Sequence, residues 1–600
     1  MIKDNIYLFQ PQYAVEIRQE TNYWIPYSAG CLWSYASQFL DITDHFELAD
    51  IIFRRDPPNE ILDRMHNPVY CGFSVYIWNF QYCLTLAELI KARWPTCVIQ
   101  FGGPEASGKL LKHDFVDSIV AGEGEEKFVE SLRAIKNNTP VPLLSQKQRL
   151  QQLDIPSPYT SGVFDNIIKN NPNVLWSMTL ETNRGCPYAC TFCDWGGVTY
   201  SKIKKFNLEH VQADLEWTTV NPVGFVFLAD ANFGIFKERD LTIANMIRSA
   251  ADRSKIDSIN IQYAKNSTEV VFEIAKIVGP YSRGVTFSVQ SMNPATLDAI
   301  NRKNLDVNDI AELMKLSDQH NVNTYTEVIL GLPLETLETW KQGLADILEM
   351  GQHKAIDIWF TQLLENSELS QPESRQKYGI KTIKASDYSP LYNTSDYRGI
   401  DEKIELVSST NTMPTEDIVE AYLYAWMIIN FHIAGYTQYA SKYARYKKNV
   451  SYRQFYDAMF EKLQNIEPFK TYIGQFKNVI QQYLTTGKII EFDNHNRGGH
   501  GLHSAGGQMI YQNRTSVFDI TEEILLDQVG PDLSISNLQR YAMLDTAQSY
   551  PVRVKLNFDI HTWQDDTCEY IIHSSIAPDS NFDFYLNRRK GLLKNQITKA

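Results

Sequence analysis

With 600 residues the chain is longer than one hydrophobic core organises, so two or three domains are expected. A content of 44% hydrophobic and 21% charged residues excludes a disordered chain, and a net charge of −14 argues against a protein that follows nucleic acid by counterion release. Eight dispersed cysteines are too few for a secreted disulfide scaffold and point to a reducing, cytoplasmic setting.

The first residues, MIKDNIYLFQPQY, lack the apolar core and cleavage site of a signal peptide and read as a strand. Further apolar or β-branched runs follow at 47–53, 69–75, 97–101 and 117–121, with helix-compatible stretches such as Leu84 to Trp94 between them. This alternation predicts a doubly wound, flavodoxin-like parallel sheet over residues 1–136. Ligands of such sheets bind beyond the carboxyl ends of the strands, which here carry Ser74, then Gly102-Gly103-Pro104-Glu105, then Gly122-Glu123-Gly124. Residues 137–173, with Pro140, Pro142, Pro156 and Pro158, read as a linker.

Strands recur at 174–180, 224–228, 258–262, 285–289, 324–330 and 356–362, which predicts a partial (β/α)6 barrel over 174–375 with its chemistry at the strands' carboxyl ends. Residues 376–600 read as a mostly helical, substrate-associated domain, with helices near 416–433 and 452–464. The apolar stretch 421–436 is interrupted by Asn430 and His432 and is too short for a bilayer, so a core helix and no membrane span are expected. The segment HNRGGHGLH at 495–503 reads as a substrate-facing turn rather than a metal site, and Arg588, Arg589 and Lys590 as a solvated tail.

Three of the eight cysteines, Cys186, Cys190 and Cys193, form a CxxxCxxC cluster directly after the first barrel strand. Structural zinc would require a fourth ligand, whereas three thiolates on a cubane leave one iron open for a chelating substrate.

In this pattern, with Phe192 at the aromatic position of CxxxCx(aromatic)C, the sequence resembles the radical SAM enzymes, and LADANFG at 228–234, SVQSMNPATLDAINRKN at 288–304 and EVILGLPLET at 327–336 agree in order and spacing. The resemblance implies a 4Fe-4S cluster on the three cysteines. Its open iron would chelate S-adenosylmethionine (SAM), and reduction would release a 5'-deoxyadenosyl radical. It also implies SAM contacts from Phe192, Asp230, Ser288, Gln290, Arg302, Glu327 and Gly331. The polar members among these lie near strand ends, where a side chain serves equally well to satisfy local backbone.

CGFSVYIWN at 71–79, QFGGPEA at 100–106, AGEGEEKF at 121–128 and DIPSPYTSGVFD at 154–165 are similar to the cobalamin-binding domain and linker that precede many radical SAM barrels. That resemblance implies cobalamin contacts from Ser74, Tyr76, Trp78, Asn79, Gly102, Gly103, Pro104, Glu105, Gly122, Glu123 and Gly124. The DxHxxG motif is absent, so no imidazole is expected on the lower face of cobalt; a flavodoxin-like domain without cobalamin is the alternative. Together the resemblances imply a methyltransferase acting on an unactivated carbon or phosphorus centre of a small molecule or peptide, served by a one-electron donor such as flavodoxin or ferredoxin. A non-methylating cobalamin cyclase or rearrangement enzyme shares the motifs, and an iron-sulfur sensor is the alternative outside enzymes.

Overall fold

The computed structural model describes residues 3–17, 20–145, 149–195, 202–265, 269–386, 396–488, 492, 505–543, 550–573 and 597–599. The histidine-rich segment at 495–503, expected to be a turn, and the basic run at 588–590 lie outside the described residues.

The N-terminal sheet is parallel throughout, in the order Phe46–Arg54, Asp4–Gln12, Pro68–Ser74, Val98–Gly102 and Ser118–Ile119. Its three central strands are buried on both faces, which explains why they read as continuous apolar runs. Alternation still sorts the side chains. Ile6 and Leu8 join the main core shared with the barrel, while Tyr7 and Phe9 join a separate core under the domain's own helices. On that second face Phe9, Phe73 and Phe101 stack across three neighbouring strands, with centroids 4.4 and 4.9 Å apart.

The barrel strands are Leu175–Leu180, Val223–Phe233, Ser258–Tyr263, Val285–Gln290, Thr324–Leu330 and Ile356–Phe360, with helices between most of them. They form two parallel sheet segments, and the isolated pair Ile259–Ser282 bridges towards the seam between the third and fourth strands. The six-strand expectation holds, with one addition. Glu20–Trp24, expected within the N-terminal unit, pairs in parallel with Leu175–Leu180 and extends the barrel sheet, followed by Val15–Ile17. The region 137–173 also contains a short helix, Asp165–Asn170.

Beyond the barrel, the hairpin Lys381–Ser386 and Lys403–Ser409 follows on from the last barrel strand through the Gln362–Leu406 bridge. Helices Thr415–Met427, Gln438–Lys448, Tyr452–Leu463, Phe469–Thr486, Arg514–Gln528 and Ser534–Met543 follow, then a small antiparallel sheet of Val552–Leu556, Cys568–Ile572 and Ile597–Lys599. Tyr422 stacks on Phe360 of the last barrel strand at 4.9 Å, and Trp340 Nε1 donates to the Ala421 carbonyl at 3.0 Å. The helical region therefore shares the barrel's core. Among the described residues no single helix is long and apolar enough to cross a membrane; Thr415–Met427 is buried inside the protein.

Candidate active site between the two rims

The cysteine loop leaves strand Leu175–Leu180 at its carboxyl end and is pinned at both sides. At its start, the fully buried Asp230 accepts from Thr182 N at 2.8 Å, Asn183 N at 3.1 Å and Asn183 Nδ2 at 2.6 Å, and from the Thr182 hydroxyl. Burial pushes its carboxyl up to about 7, against the pull of these donors. Further on, Thr191 N donates to the Ile300 carbonyl at 3.0 Å and Asn301 Nδ2 to the Ala189 carbonyl at 2.9 Å.

Cys186 and Cys190 are buried, Cys193 is half-buried, and all three are free thiols, with Cys193 within electrostatic reach of the other two. Asn232 Nδ2 donates to Cys186 Sγ at 3.1 Å, Lys265 Nζ lies 3.5 Å from Cys190 Sγ, and Arg302 Nη1 reaches the same sulfur at 4.0 Å. Three thiols attended by an amide and two cations suit an anionic iron-sulfur cluster, whose thiolate charge needs such donors.

Inside the barrel, Ser288 Oγ donates to Glu327 Oε2 at 2.7 Å across neighbouring strands, and burial raises the Glu327 carboxyl. Arg302 also donates to the Ser288 carbonyl, and burial pulls its guanidinium down. Gln290 closes its strand at a left-handed φ of 66°. Gly331 turns the chain out of Thr324–Leu330 at a φ of 92°, and a Cβ there would meet nothing nearer than Thr361 Oγ1 at 3.5 Å. Phe192 packs on the small apolar group of Leu363, Leu369, Tyr378, Ile380 and Val407.

The N-terminal rim faces this mouth. Ser107 Oγ donates to Glu365 Oε1 at 2.8 Å, Lys109 Nζ lies 2.7 Å from the same carboxylate, and Asn366 Nδ2 donates to the Pro104 carbonyl at 2.6 Å. Glu105 is raised to about 7 by burial and then by Glu365, and it is within electrostatic reach of Asp194, the residue after Cys193. Tyr76 and Trp78 stack at 4.5 Å, and Tyr76 shares a 2.7 Å hydrogen bond with Ser28. A Cβ on Gly102 would meet nothing nearer than Val120 Cβ at 3.6 Å, so protein packing does not require glycine there and the rim is open beside it. Gly122 takes a φ of 91°, and Ser74 and Gly124 complete the rim.

Four of the expected ligand contacts also have structural partners of their own. The Asp230 carboxylate is saturated by the four donors of the cysteine loop. Glu123 turns to the linker and the cysteine loop, where Leu150 N donates to it at 2.5 Å and Arg149 and Arg184 lie 3.7 and 3.9 Å away. Asn79 is buried, donating to the carbonyls of Pro11 at 3.0 Å and Ser74 at 3.1 Å and accepting from Tyr76 N at 2.8 Å. Gly103 is required by the fold, because at its φ of 101° a Cβ would meet the Val75 carbonyl oxygen at 2.7 Å.

The residues missed are Asn232, Lys265 and Arg184. Asn232 lies two residues beyond Asp230 on the same buried face of its strand, so alternation would have indicated it. Arg184 bonds Glu125 and Glu181 at 2.9 Å each and ties the cysteine loop to the N-terminal rim.

Residues 180–347 match the Radical SAM superfamily model. The chain is 33% identical over 460 residues to the cobalamin-dependent radical SAM methyltransferase TokK of Streptomyces tokunonensis, covering 72% of this chain and 67% of that protein. It is also 33% identical over 462 residues to the 2-(S-pantetheinyl)-carbapenam-3-carboxylate methyltransferase of Streptantibioticus cattleyicolor, with the same coverage of 72% and 67%. A solved structure of OxsB, a cobalamin-dependent S-adenosylmethionine radical enzyme, shares the fold with a TM-score of 0.52 at 14% identity, covering 88% of this chain and 80% of that one. The cysteine loop at a barrel mouth, the rim opposite it and these similarities together show that the chain belongs to the cobalamin-dependent radical SAM methyltransferases.

Proposed function

We propose that the protein methylates an unactivated carbon or phosphorus centre of a small molecule or peptide, consuming SAM in the cytoplasm with electrons from an external donor such as flavodoxin or ferredoxin. The supporting observation is the apposition of the two rims: the 104–109 loop is bonded to the 365–366 loop of the barrel, and Glu105 senses Asp194 beside the cysteines. When bound, the cluster and cobalamin supply reductive SAM cleavage and a transferable methyl group.

The chain's own residues do the holding. Cys186, Cys190 and Cys193 ligate iron, while Asn232 donates to a thiolate and Lys265 and Arg302 balance thiolate charge. The Ser288–Glu327 pair takes ribose hydroxyls, Gln290 a further polar group of SAM, the Gly331 turn lets backbone approach adenine, and Phe192 walls the site. Ser74, Tyr76, Trp78, Gly102, Pro104, Glu105, Gly122 and Gly124 seat cobalamin. On this reading residues 1–136 form the cobalamin domain apart from the strands lent to the barrel, 137–173 the linker, 174–375 the radical SAM domain, and 376–600 the substrate side. Closure of the rims excludes water and brings reacting atoms to about 3–3.5 Å.

The test is anaerobic turnover with labelled SAM, reductant and cobalamin. Methylation yields S-adenosylhomocysteine and 5'-deoxyadenosine in equal amounts per product. Deoxyadenosine without stoichiometric S-adenosylhomocysteine, alongside a cyclised or rearranged product, overturns it.

A further inference from the structure

We propose that Arg55 and Glu402 form a positioning tie through which the C-terminal region sets the cobalamin rim; the inference rests on the cobalamin reading above. Helix Phe80–Arg93 starts immediately after the Tyr76–Asn79 turn, but the side chain at its N-cap, Asn79, is spent on the turn itself and does not cap it. The cap comes from 320 residues away. Glu402 Oε2 accepts from Gln81 N at 2.7 Å, and Oε1 from Tyr82 N at 3.1 Å, which places a carboxylate on the first-turn amides, which have no partner within the helix, and on its positive end.

The same carboxylate accepts from Arg55 Nη1 at 2.5 Å, and both side chains are essentially buried. Arg55 lies between the rings of Tyr13 and Tyr82, at 4.3 and 4.5 Å from their centroids. Its fork also donates to the Trp78 carbonyl at 3.2 Å and the Ile400 carbonyl at 2.8 Å. One guanidinium thus joins the rim turn carrying Trp78 to the segment 400–402.

That segment is anchored to the barrel. Lys403–Ser409 begins right after Glu402, and its Val407 N donates to the Thr361 carbonyl at 2.9 Å, at the end of the last barrel strand. Asp396 reinforces the strap, accepting from Ala14 N at 2.5 Å and Tyr23 OH at 2.6 Å, and Tyr397 and Ile400 pack on the N-terminal core. The pair therefore touches neither reacting group but couples the height and tilt of the Trp78 turn to the barrel mouth.

The test uses the full chain as wild type, R55K and E402Q, each with cluster reconstituted. Lysine keeps the charge opposite Glu402 but cannot also hold the Trp78 and Ile400 carbonyls in one planar fork. Glutamine keeps a single acceptor for the helix and loses the ion pair. Hydroxocobalamin is titrated by absorbance, iron and the thermal midpoint are measured, and the ratio of deoxyadenosine to S-adenosylhomocysteine is read in turnover. Expected for R55K is a wild-type iron content, cobalamin binding weakened about tenfold, and deoxyadenosine in excess. E402Q should behave the same way; if its unpaired buried Arg55 prevents folding, R55K decides, since it strands no charge. Wild-type cobalamin affinity and product ratio in R55K overturn the tie, as does loss of cluster and cobalamin together in step with the thermal midpoint. A wild-type chain that does not bind cobalamin overturns the cobalamin reading as well, which separates the two failures.

Discussion

Asp230, expected to touch SAM, holds the cysteine loop, and the two roles separate in the D230N variant. Its Oδ1 takes the backbone amides of Thr182 and Asn183; its Oδ2 takes the Thr182 hydroxyl and the Asn183 side-chain amide. An asparagine must present an NH2 to one of these pairs. The backbone amides cannot turn away, so the NH2 should face the second pair, where the threonine hydroxyl can rotate to accept. The Asn183 side-chain bond is then lost and the other three lose their charge assistance, a cost of about 2–3 kcal/mol; D230A removes the acceptor of all four donors and should cost about 4–6 kcal/mol.

The loss falls on the residues leading into Cys186, so both variants should take up less iron on anaerobic reconstitution, D230A less than D230N. The measurements are thermal midpoint, iron per chain and SAM affinity by equilibrium binding, the last normalised to cluster content. A D230N protein with wild-type midpoint and iron but SAM binding weakened tenfold or more would refute the structural role and return Asp230 to the ligand.

Replacing Cys186, Cys190 and Cys193 together by alanine should abolish both iron uptake and SAM cleavage, whereas single replacements of Cys31, Cys71, Cys83, Cys97 or Cys568 should keep both, as iron analysis and deoxyadenosine release will show. G102L should fold with its cluster and lose cobalamin, because its new atoms enter the rim; G103A should lose about 2–4 kcal/mol of stability instead, from a strained φ and the clash with Val75. For Glu105, burial and then Glu365 raise the carboxyl from 4.5 to about 7, so the native state holds a proton that the unfolded chain releases. That contribution is complete below about pH 4.5 and is lost as pH rises through 7, amounting to at most about 3 kcal/mol. E105Q should therefore flatten the fall of the thermal midpoint across this window, and an unchanged slope would show that Glu105 is not the group responsible.

Most strands were legible because their evidence is local. The runs at 4–9, 69–75 and 324–330 are buried as Asp4–Gln12, Pro68–Ser74 and Thr324–Leu330, each bounded by turn residues within a few positions. Glu20–Trp24 was missed for the opposite reason. Five residues, ETNYW, carry no mark of which sheet they join, and their partner at Leu175–Leu180 is about 150 residues away, reachable only once the N-terminal sheet has packed beside the barrel. The C-terminal helices were readable as apolar, but not as an extension of the barrel core, since the stacking of Tyr422 on Phe360 depends on tertiary placement.

The site divides along the same line. Here the three thiolates come from one short loop, so CxxxCxxC reports its chemistry within eight residues. A buried charge obeys no such constraint: its partner is whatever the topology brings to it. Glu123 and Glu125 sit in a glycine turn that resembles a ligand rim, and only the apposed cysteine loop, through Arg184, shows that their carboxylates serve the domain junction. Glu402 is an ordinary acid in sequence and becomes the cap of Phe80–Arg93 only after the chain has closed around the barrel. Residues that bind a cofactor from their own loop are therefore recognisable in advance, whereas those that aim one cofactor at another belong to the interface between domains. In a reaction that requires two cofactors to meet over one substrate, that second class should govern how often SAM cleavage ends in a methylated product.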